Sequence, residues 1–376
     1  MFNFLIKDDI GEPPWDYYFL QNLPESEYPK YLAKLFELNT GENLPLKYDF
    51  KTNTYVINKK KCKTFNQKIQ YIKLYGITDL ICNCTNKIKV RNYVKEKIGE
   101  EYLKPVLQIC DSFDEIEFDK LPKSFVIKCN HGCKWQYIIK DKENFLNNSK
   151  LFSAVRQQMT GWLEQEFWCW GGFEMQYRTS RRPESPDSIS GARVRLSEGK
   201  VNDRTESEVN CLPDTKRIIE LIGEINEPGY NDKYGLKKGC QEKGIEPKIL
   251  IEPLLRDNID KNSITFNLYC FNGNIKILVK FYDNKINIWD ENLNPLDNIF
   301  NFSEENIKTK IDDLINQSFV LSKQLSQDFC FVRVDWMIYN NKLFFEELTF
   351  TPYSGFNIIE KTWNKKMGEF IQWILL

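Results

Sequence analysis

The sequence predicts an α+β fold, and three observations carry that reading. Amphipathic helical patterns crowd the first hundred residues. Strand-like runs dominate from residue 125 onward, and Asn-rich turns join several of them as hairpins. The 376 residues are 41% hydrophobic and 14% aromatic, enough to pack a core and to fill two or three compact units.

The elements follow in order. Glu25-Ser26-Glu27-Tyr28-Pro29 opens a helix with Tyr31, Leu32, Leu35, Phe36 and Leu38 on one broad apolar side and Gly41 as its stop. Thr64 to Gly76 has the same shape, and Thr64 three residues before Gln67 is a capping-box pattern. Asn86 to Ile98 reads as a third helix, ended by Gly99. Phe125 to Cys129 is then a short apolar strand with Tyr137 to Lys140 as its return. Lys248–Glu252, Phe266–Phe271, Ile275–Phe281, Phe329–Val334 and Lys342–Leu348 continue the strand pattern. Asn272-Gly273-Asn274 and Tyr339-Asn340-Asn341 are hairpin turns between runs.

Several function classes are disfavoured. With 52 basic and 53 acidic residues the formal charge is −1, without the basic excess of a duplex-binding protein. No apolar run nears the roughly 18 residues of a membrane span. The opening Met1 to Asp9 lacks the basic region and cleavage site of a secretory signal. Eleven irregularly spaced cysteines point to a reduced, cytoplasmic setting. One stretch stands apart. From Arg178 to Gly229 there is no Phe, Trp or Tyr, and seven of the eleven arginines lie between Arg178 and Arg217. Residues 178–247 therefore read as an insertion, either a long solvated excursion or an arginine-lined surface for an anionic substrate.

Three constellations could carry chemistry. In Phe125-Val126-Ile127-Lys128-Cys129-Asn130-His131-Gly132, a lysine on an apolar strand precedes a polar glycine turn. That pattern suits a phosphate grip, or a lysine that merely snorkels at a strand end. His131, the only histidine, lies between Cys129 and Cys133. A zinc site there lacks a fourth ligand, so a substrate contact or a loop-stabilising role is the better expectation. Cys82 and Cys84 read as core or surface thiols. Near the C-terminus, Arg333 and Asp335 share a strand face, and antiparallel pairing could set Glu347 beside Asp335 with Glu346 pointing away. Two carboxylates on one face suit Mg²⁺ bound with substrate phosphates, with Arg333 countering transferred charge; an Arg–Asp–Glu surface ladder is the plainer alternative.

These motifs together resemble the TupA-like branch of the ATP-grasp ligases, associated with teichuronopeptide and other surface-polysaccharide synthesis. Thr64–Gln70, Lys97–Leu103, Asp111–Ile116, Phe125–Gly132, Cys270–Gly273, Phe331–Asp335 and Glu347–Phe350 with Pro352 carry the likeness, from about Leu23 to Phe370. The resemblance implies an ATP-grasp fold in which two α+β lobes clamp a nucleotide. Residues 1–45 would form a helical N-terminal region and 46–122 a preceding region. Lobe A would span 123–251 with its insertion, and lobe B 252–376. It implies ATP and Mg²⁺ as cofactors. Lys87, in the preceding helix, and Lys128 would contact phosphates, and the turn at Asn130, His131 and Gly132 would cover them. Glu252 and Leu254 would belong to an adenine hinge, Asp335, Glu347 and Thr349 would hold the metal, and Arg333 and Lys128 would act in catalysis.

The implied reaction is ATP-driven activation of a carboxylate to an acyl phosphate followed by amide formation. The substrates would be small or glycan-linked acids and amines, with loose association with envelope-synthesis machinery and no nucleic-acid partner. Asn86-Lys87 stands where relatives show Asp-Lys, and Thr265-Phe266-Asn267 where they show Asp-Tyr-Lys. A glycosyltransferase and a degenerate nucleotide-binding partner are the competing functions.

Overall fold

The protein is described from a computed structural model, which covers residues 28–132, 135–167, 176–178, 246–255, 264–282, 285–296, 299 and 313–373. The arginine-rich segment expected at 178–247 lies almost wholly outside these residues, as do Cys133 and Lys134 of the turn after Lys128.

Helix α1 (Tyr28–Thr40) stops at Gly41, whose φ of 69° suits a residue without a Cβ. A small hairpin follows, β1 (Leu46–Asp49) with β2 (Thr54–Ile57). Helix α2 (Phe65–Tyr75) starts with the expected capping box, Thr64 and Gln67 satisfying each other's backbone N–H groups. The predicted helix from Asn86 is shorter and has a companion. Helix α3 (Asp79–Thr85), capped by Thr78, comes first, and α4 (Val90–Ile98) begins only after a turn. Asn86 and Lys87 therefore sit in the bend between two helices, not within one. There the Asn86 side chain accepts from the N–H groups of Ile88 and Lys89, at 2.9 and 3.1 Å.

Two antiparallel sheets make the frame. The first has the order β3–β8–β4–β5, formed by β3 (Gln108–Cys110), β4 (Phe125–Cys129), β5 (Gln136–Ile139) and β8 (Ile249–Pro253). Between β5 and β8 come helices α5 (Lys142–Asn147) and α6 (Ser149–Leu163) and a short ribbon of β6 (Gln165–Phe167) with β7 (Gln176–Arg178). The domain limit expected at 251/252 falls inside β8, and β3, from the region before 123, is hydrogen-bonded into the same sheet.

The second sheet has the order β11–β10–β9–β12–β13. Its strands are β9 (Ile264–Phe271), β10 (Asn274–Tyr282), β11 (Lys285–Asp290), β12 (Phe331–Tyr339) and β13 (Lys342–Thr349). Both hairpin turns read from the sequence are present: Asn272-Gly273 and Asn340-Asn341 have positive φ throughout, as a tight hairpin between twisted strands requires. Helices α7 (Asp313–Ser326) and α8 (Lys361–Phe370) complete the described elements.

Strand alternation sorts the second sheet's side chains onto two cores. Phe266, Leu268, Val332, Val334 and Trp336 pack against α3, α4 and α7. Tyr269, Phe271, Ile277 and Phe331 pack against α2 and α8. The first sheet packs Phe125, Ile127 and Ile251 on α6. No helix among the described residues is long and apolar enough to cross a membrane.

Candidate active site

The cleft is built by one strand pair from each sheet. Lys128 follows from β4's alternation: Phe125, Ile127 and Cys129 are buried in the core, so Lys128 projects from the other face. Its Nζ lies 2.5 Å from the Glu252 carboxylate on neighbouring β8, and Arg91 of α4 is 3.8 Å from the other oxygen of the same group. Burial opposes the Lys128 charge. The carboxylates of Glu252, Glu346 and Glu347 outweigh it, so the ammonium titrates above its ordinary value. Since Glu346 and Glu347 belong to β13, these groups bring the two sheets' polar faces together.

On the opposite wall, β12 and β13 pair with Asp335 directly across from Glu347 and Arg333 across from Thr349. Arg333 grips Asp335 through two hydrogen bonds, Nε to Oδ1 at 2.7 Å and Nη2 to Oδ2 at 2.5 Å, and also donates to the Thr349 hydroxyl at 3.1 Å. This geometry suits a planar guanidinium and not a lysine. The Asp335 carboxyl is pushed up to about 6: burial raises it, Arg333 opposes, and Glu347 and Glu346 raise it further. Arg333 is held well above its ordinary value, because pairing with Asp335 outweighs burial.

One expectation fails here. Glu346 does not point away from the cleft, because the register shifts between Asp335 and Trp336 and a bulge re-aims it. Its carboxylate pairs with Lys104 and acts on both Lys128 and Asp335. Glu346, Lys104 and Arg91 are the cleft residues that sequence reading missed. A period-two strand rule cannot register an extra residue in one strand.

The turn after β4 is held by its own side chains. The side chains of Asn130 and His131 are buried and occupied. Asn130 donates to Glu246 O at 2.9 Å and accepts from Lys248 N–H at 2.8 Å. The His131 ring nitrogens lie 3.1 Å from Asn130 Oδ1 and from Trp162 O. These contacts give His131 a loop-stabilising role. Among the described residues no group of three or more His, Cys, Asp or Glu could hold a metal, and Cys129 is a free, buried thiol. Cys84 is also free and buried, whereas Cys82 is disulfide-bonded, contrary to the thiol expectation. Gly132 has φ 78°, and a Cβ there would stand 2.2 Å from the Trp135 ring, so only glycine fits. Its carbonyl accepts from Lys87 Nζ at 2.8 Å, which places Lys87 at the glycine turn. Leu254, half-buried, directly follows β8. Asn267 of β9 pairs across from Asp335 and so borders the acid wall.

The family model of the TupA-like ATP-grasp proteins matches residues 67–168 and 219–372, more than half of the chain. The chain belongs to the TupA-like ATP-grasp family. It has the ATP-grasp fold in its α+β form. The match breaks between 168 and 219, a gap that overlaps the arginine-rich segment.

Among solved structures, the chain is similar to a D-alanine–D-alanine ligase from Bacillus anthracis complexed with ATP. Identity is 11%, the match covers 84% of this chain and 74% of that one, and the TM-score is 0.38. It is similar also to a D-alanine–D-alanine ligase from Helicobacter pylori, at 12% identity, with 91% and 83% covered and a TM-score of 0.34. Neither likeness carries an argument about chemistry. No curated protein matches.

The acid wall suits a hard cation. Asp335 and Glu347 offer oxygen donors on one sheet face, Glu347 raising the cost of charging Asp335, and Thr349 adds a hydroxyl 3.4 Å from Glu347. Mg²⁺ needs only one or two carboxylates when substrate phosphates complete its shell.

Proposed function

We propose that the chain is a carboxylate–amine ligase that works through an acyl phosphate and forms an amide on an acidic surface polysaccharide or its precursor, as in teichuronopeptide synthesis. The observation that supports this most is the direct pairing of Asp335 with Glu347, across the cleft from a Lys128 whose charge is reinforced from both sheets.

A carboxylate oxygen of the acid substrate attacks the γ-phosphorus of ATP and ADP leaves. The amine nitrogen then attacks the acyl carbon, the C–O bond to phosphate breaks, phosphate leaves and takes up the proton lost by the nitrogen, and the amide remains. Phosphoryl transfer demands mainly positioning and neutralisation of charge. Lys87 and Lys128 bind phosphate oxygens beside the glycine turn, and Glu252 keeps Lys128 aimed. Arg333 faces the transferring group. Mg²⁺, held by Asp335, Glu347 and Thr349, would supply charge stabilisation at the phosphates.

The test is ADP and phosphate release from ATP with Mg²⁺ when uronic acids and amino acids are supplied in pairs. Release should require both substrates and fall to background in Asp335→Asn. Turnover indifferent to that substitution, or nucleotide-sugar turnover without ATP, would sink the reading.

A further inference from the structure

Away from the cleft, the two-stranded β1–β2 ribbon carries apolar surface at its turn. Strand alternation puts Tyr48 and Phe50 on one side, and the register sets Tyr55 directly across from Tyr48. The three rings form one cluster. Tyr48 lies 5.0 Å from Phe50 and 5.3 Å from Tyr55, ring centre to ring centre. Phe50 is 89% exposed, and Tyr48 and Tyr55 are 38% and 39% exposed. A lone surface Phe needs no explanation, but contiguous exposed aromatics at the end of a ribbon mark a contact surface. The turn also meets its own polar needs. Lys51 N–H donates to Asp49 Oδ1 at 3.0 Å, the Thr52 and Thr54 hydroxyls are 2.9 Å apart, and the Tyr48 hydroxyl donates to Asn53 Oδ1. Fewer polar groups then need stripping of water when the tip is covered.

Positive charge accompanies this patch. From Leu46 to Thr64 there are six lysines against one acidic residue, Asp49, in a chain whose formal charge is −1. Lys47, Lys51, Lys60, Lys61 and Lys63 are exposed, and Lys30 Nζ of α1 stands 5.0 Å from the centre of the Tyr55 ring. The hairpin and this lysine run precede residue 67, where the family match begins. Family membership therefore assigns nothing to them.

We propose that this hairpin docks the protein on an anionic lipid bilayer, with Phe50 entering the boundary of the acyl chains. The chemistry along the ribbon follows the layers of such a surface. Phe50 at the tip is wholly apolar, and Tyr48 and Tyr55 behind it have the apolar body and polar end that suit the interface. The lysines suit the headgroup phosphates, each adding attraction that salt weakens. Each strand has four residues, so the lysines at the base trail the tip by only roughly 13 Å. Lys51, next to Phe50, has a stem long enough to return its ammonium to the headgroups. One apolar insertion and one basic patch are each weak, and together they give reversible attachment to a membrane surface. A nucleic acid or a free anion would use the lysines and leave Phe50 in water. A protein would need an apolar socket with an acidic rim, whereas a bilayer offers both chemistries without a prior shape. None of the cleft residues takes part, so this surface stands or falls apart from the ligase reading.

The experiment is co-sedimentation of the full chain with vesicles of phosphatidylcholine alone and of phosphatidylcholine mixed equally with phosphatidylglycerol. The chain should partition onto the mixed vesicles, far less onto the neutral ones, and detach as salt rises from about 0.1 to about 0.5 M. Phe50→Ser removes the ring without changing charge and should weaken partitioning by roughly tenfold or more, whereas Phe50→Leu should stay within about threefold of the unaltered chain. Lys60→Gln/Lys61→Gln should weaken it by about tenfold. Because Phe50 is so exposed, Phe50→Ser should keep the urea midpoint and the ATP affinity of the unaltered chain. No sedimentation of the unaltered chain with the mixed vesicles, equal partitioning by Phe50→Ser, or equal affinity for the neutral vesicles overturns the proposal. So does a dimer of the chain, or binding of a short oligothymidylate, that Phe50→Ser abolishes, since either gives the ring another occupant.

Discussion

Each wall of the cleft buries a cation beside a carboxylate, but the two pairs are built differently. Lys128 reaches across to Glu252 on the neighbouring strand through one contact, and Arg91 remains near the same carboxylate. Arg333 holds Asp335 two residues along its own strand through two contacts. A lysine on a flexible stem can turn toward a phosphate without stranding Glu252. The arginine fork cannot leave Asp335 without leaving a buried acid unpaired. The first wall is therefore suited to gripping a ligand, and the second to holding a fixed charge pattern around it.

Breaking the fork should give the largest effect. Arg333→Ala is expected to lower turnover by about 10³-fold or more. It should also cost about 3–5 kcal/mol of stability in urea unfolding, because Asp335 loses its counter-charge. Adding Asp335→Asn should restore much of the stability and none of the turnover. A single variant as stable as the unaltered protein would show that the fork is not a structural pair.

The lysine wall should yield less. Lys128→Met is expected to raise the KM for ATP more than it lowers kcat, and to cost less stability than Arg333→Ala because Arg91 still faces Glu252. A double-mutant cycle with Glu252→Gln should show a coupling of about 0.5–3 kcal/mol in unfolding. Coupling near zero would mean that the short Lys128–Glu252 contact contributes nothing in solution.

Much of this contrast was legible in the sequence where local chemistry decides the outcome. The capping box at Thr64, both hairpin turns, the strand Phe125–Cys129 and the Asp335–Glu347 pairing all follow from turn residues and period-two alternation. What was not legible depends on a break in the period or on distant partners. The β13 bulge turned Glu346 into the cleft. Lys104 and Arg91 lie on separate elements, and only folding brings them to Glu346 and Glu252. Helix α3, from Asp79 to Thr85, is too short to show a helical period. The partners of Asn130 and His131, Glu246 and Trp162, lie far along the chain, so the contacts that hold the turn could not be read from it.

A third buried cation, Lys73, sharpens the comparison at the smallest expected effect. Lys128 meets carboxylates, whereas Lys73 donates to the Ser354 carbonyl at 3.0 Å and lies 4.8 Å from the Phe356 ring centre. Burial pushes its pKa well below the ordinary 10.5. A base with a depressed folded pKa binds fewer protons when native than when unfolded. Its contribution to stability therefore rises with pH until the unfolded value is passed. Lys128, held above 10.5, contributes stability that is fully present below that value and lost above it. Lys73→Met should thus change stability by no more than about 1.5 kcal/mol near neutral pH. Measured by urea unfolding at about pH 7 and about pH 9.5, the unaltered protein should gain on the variant as pH rises. Lys128→Met should show no such gain over that interval. Parallel pH profiles for Lys73→Met and the unaltered chain would mean that the Lys73 ammonium is hydrated, and that the turn after Thr349 is held by Gln70 without a buried charge.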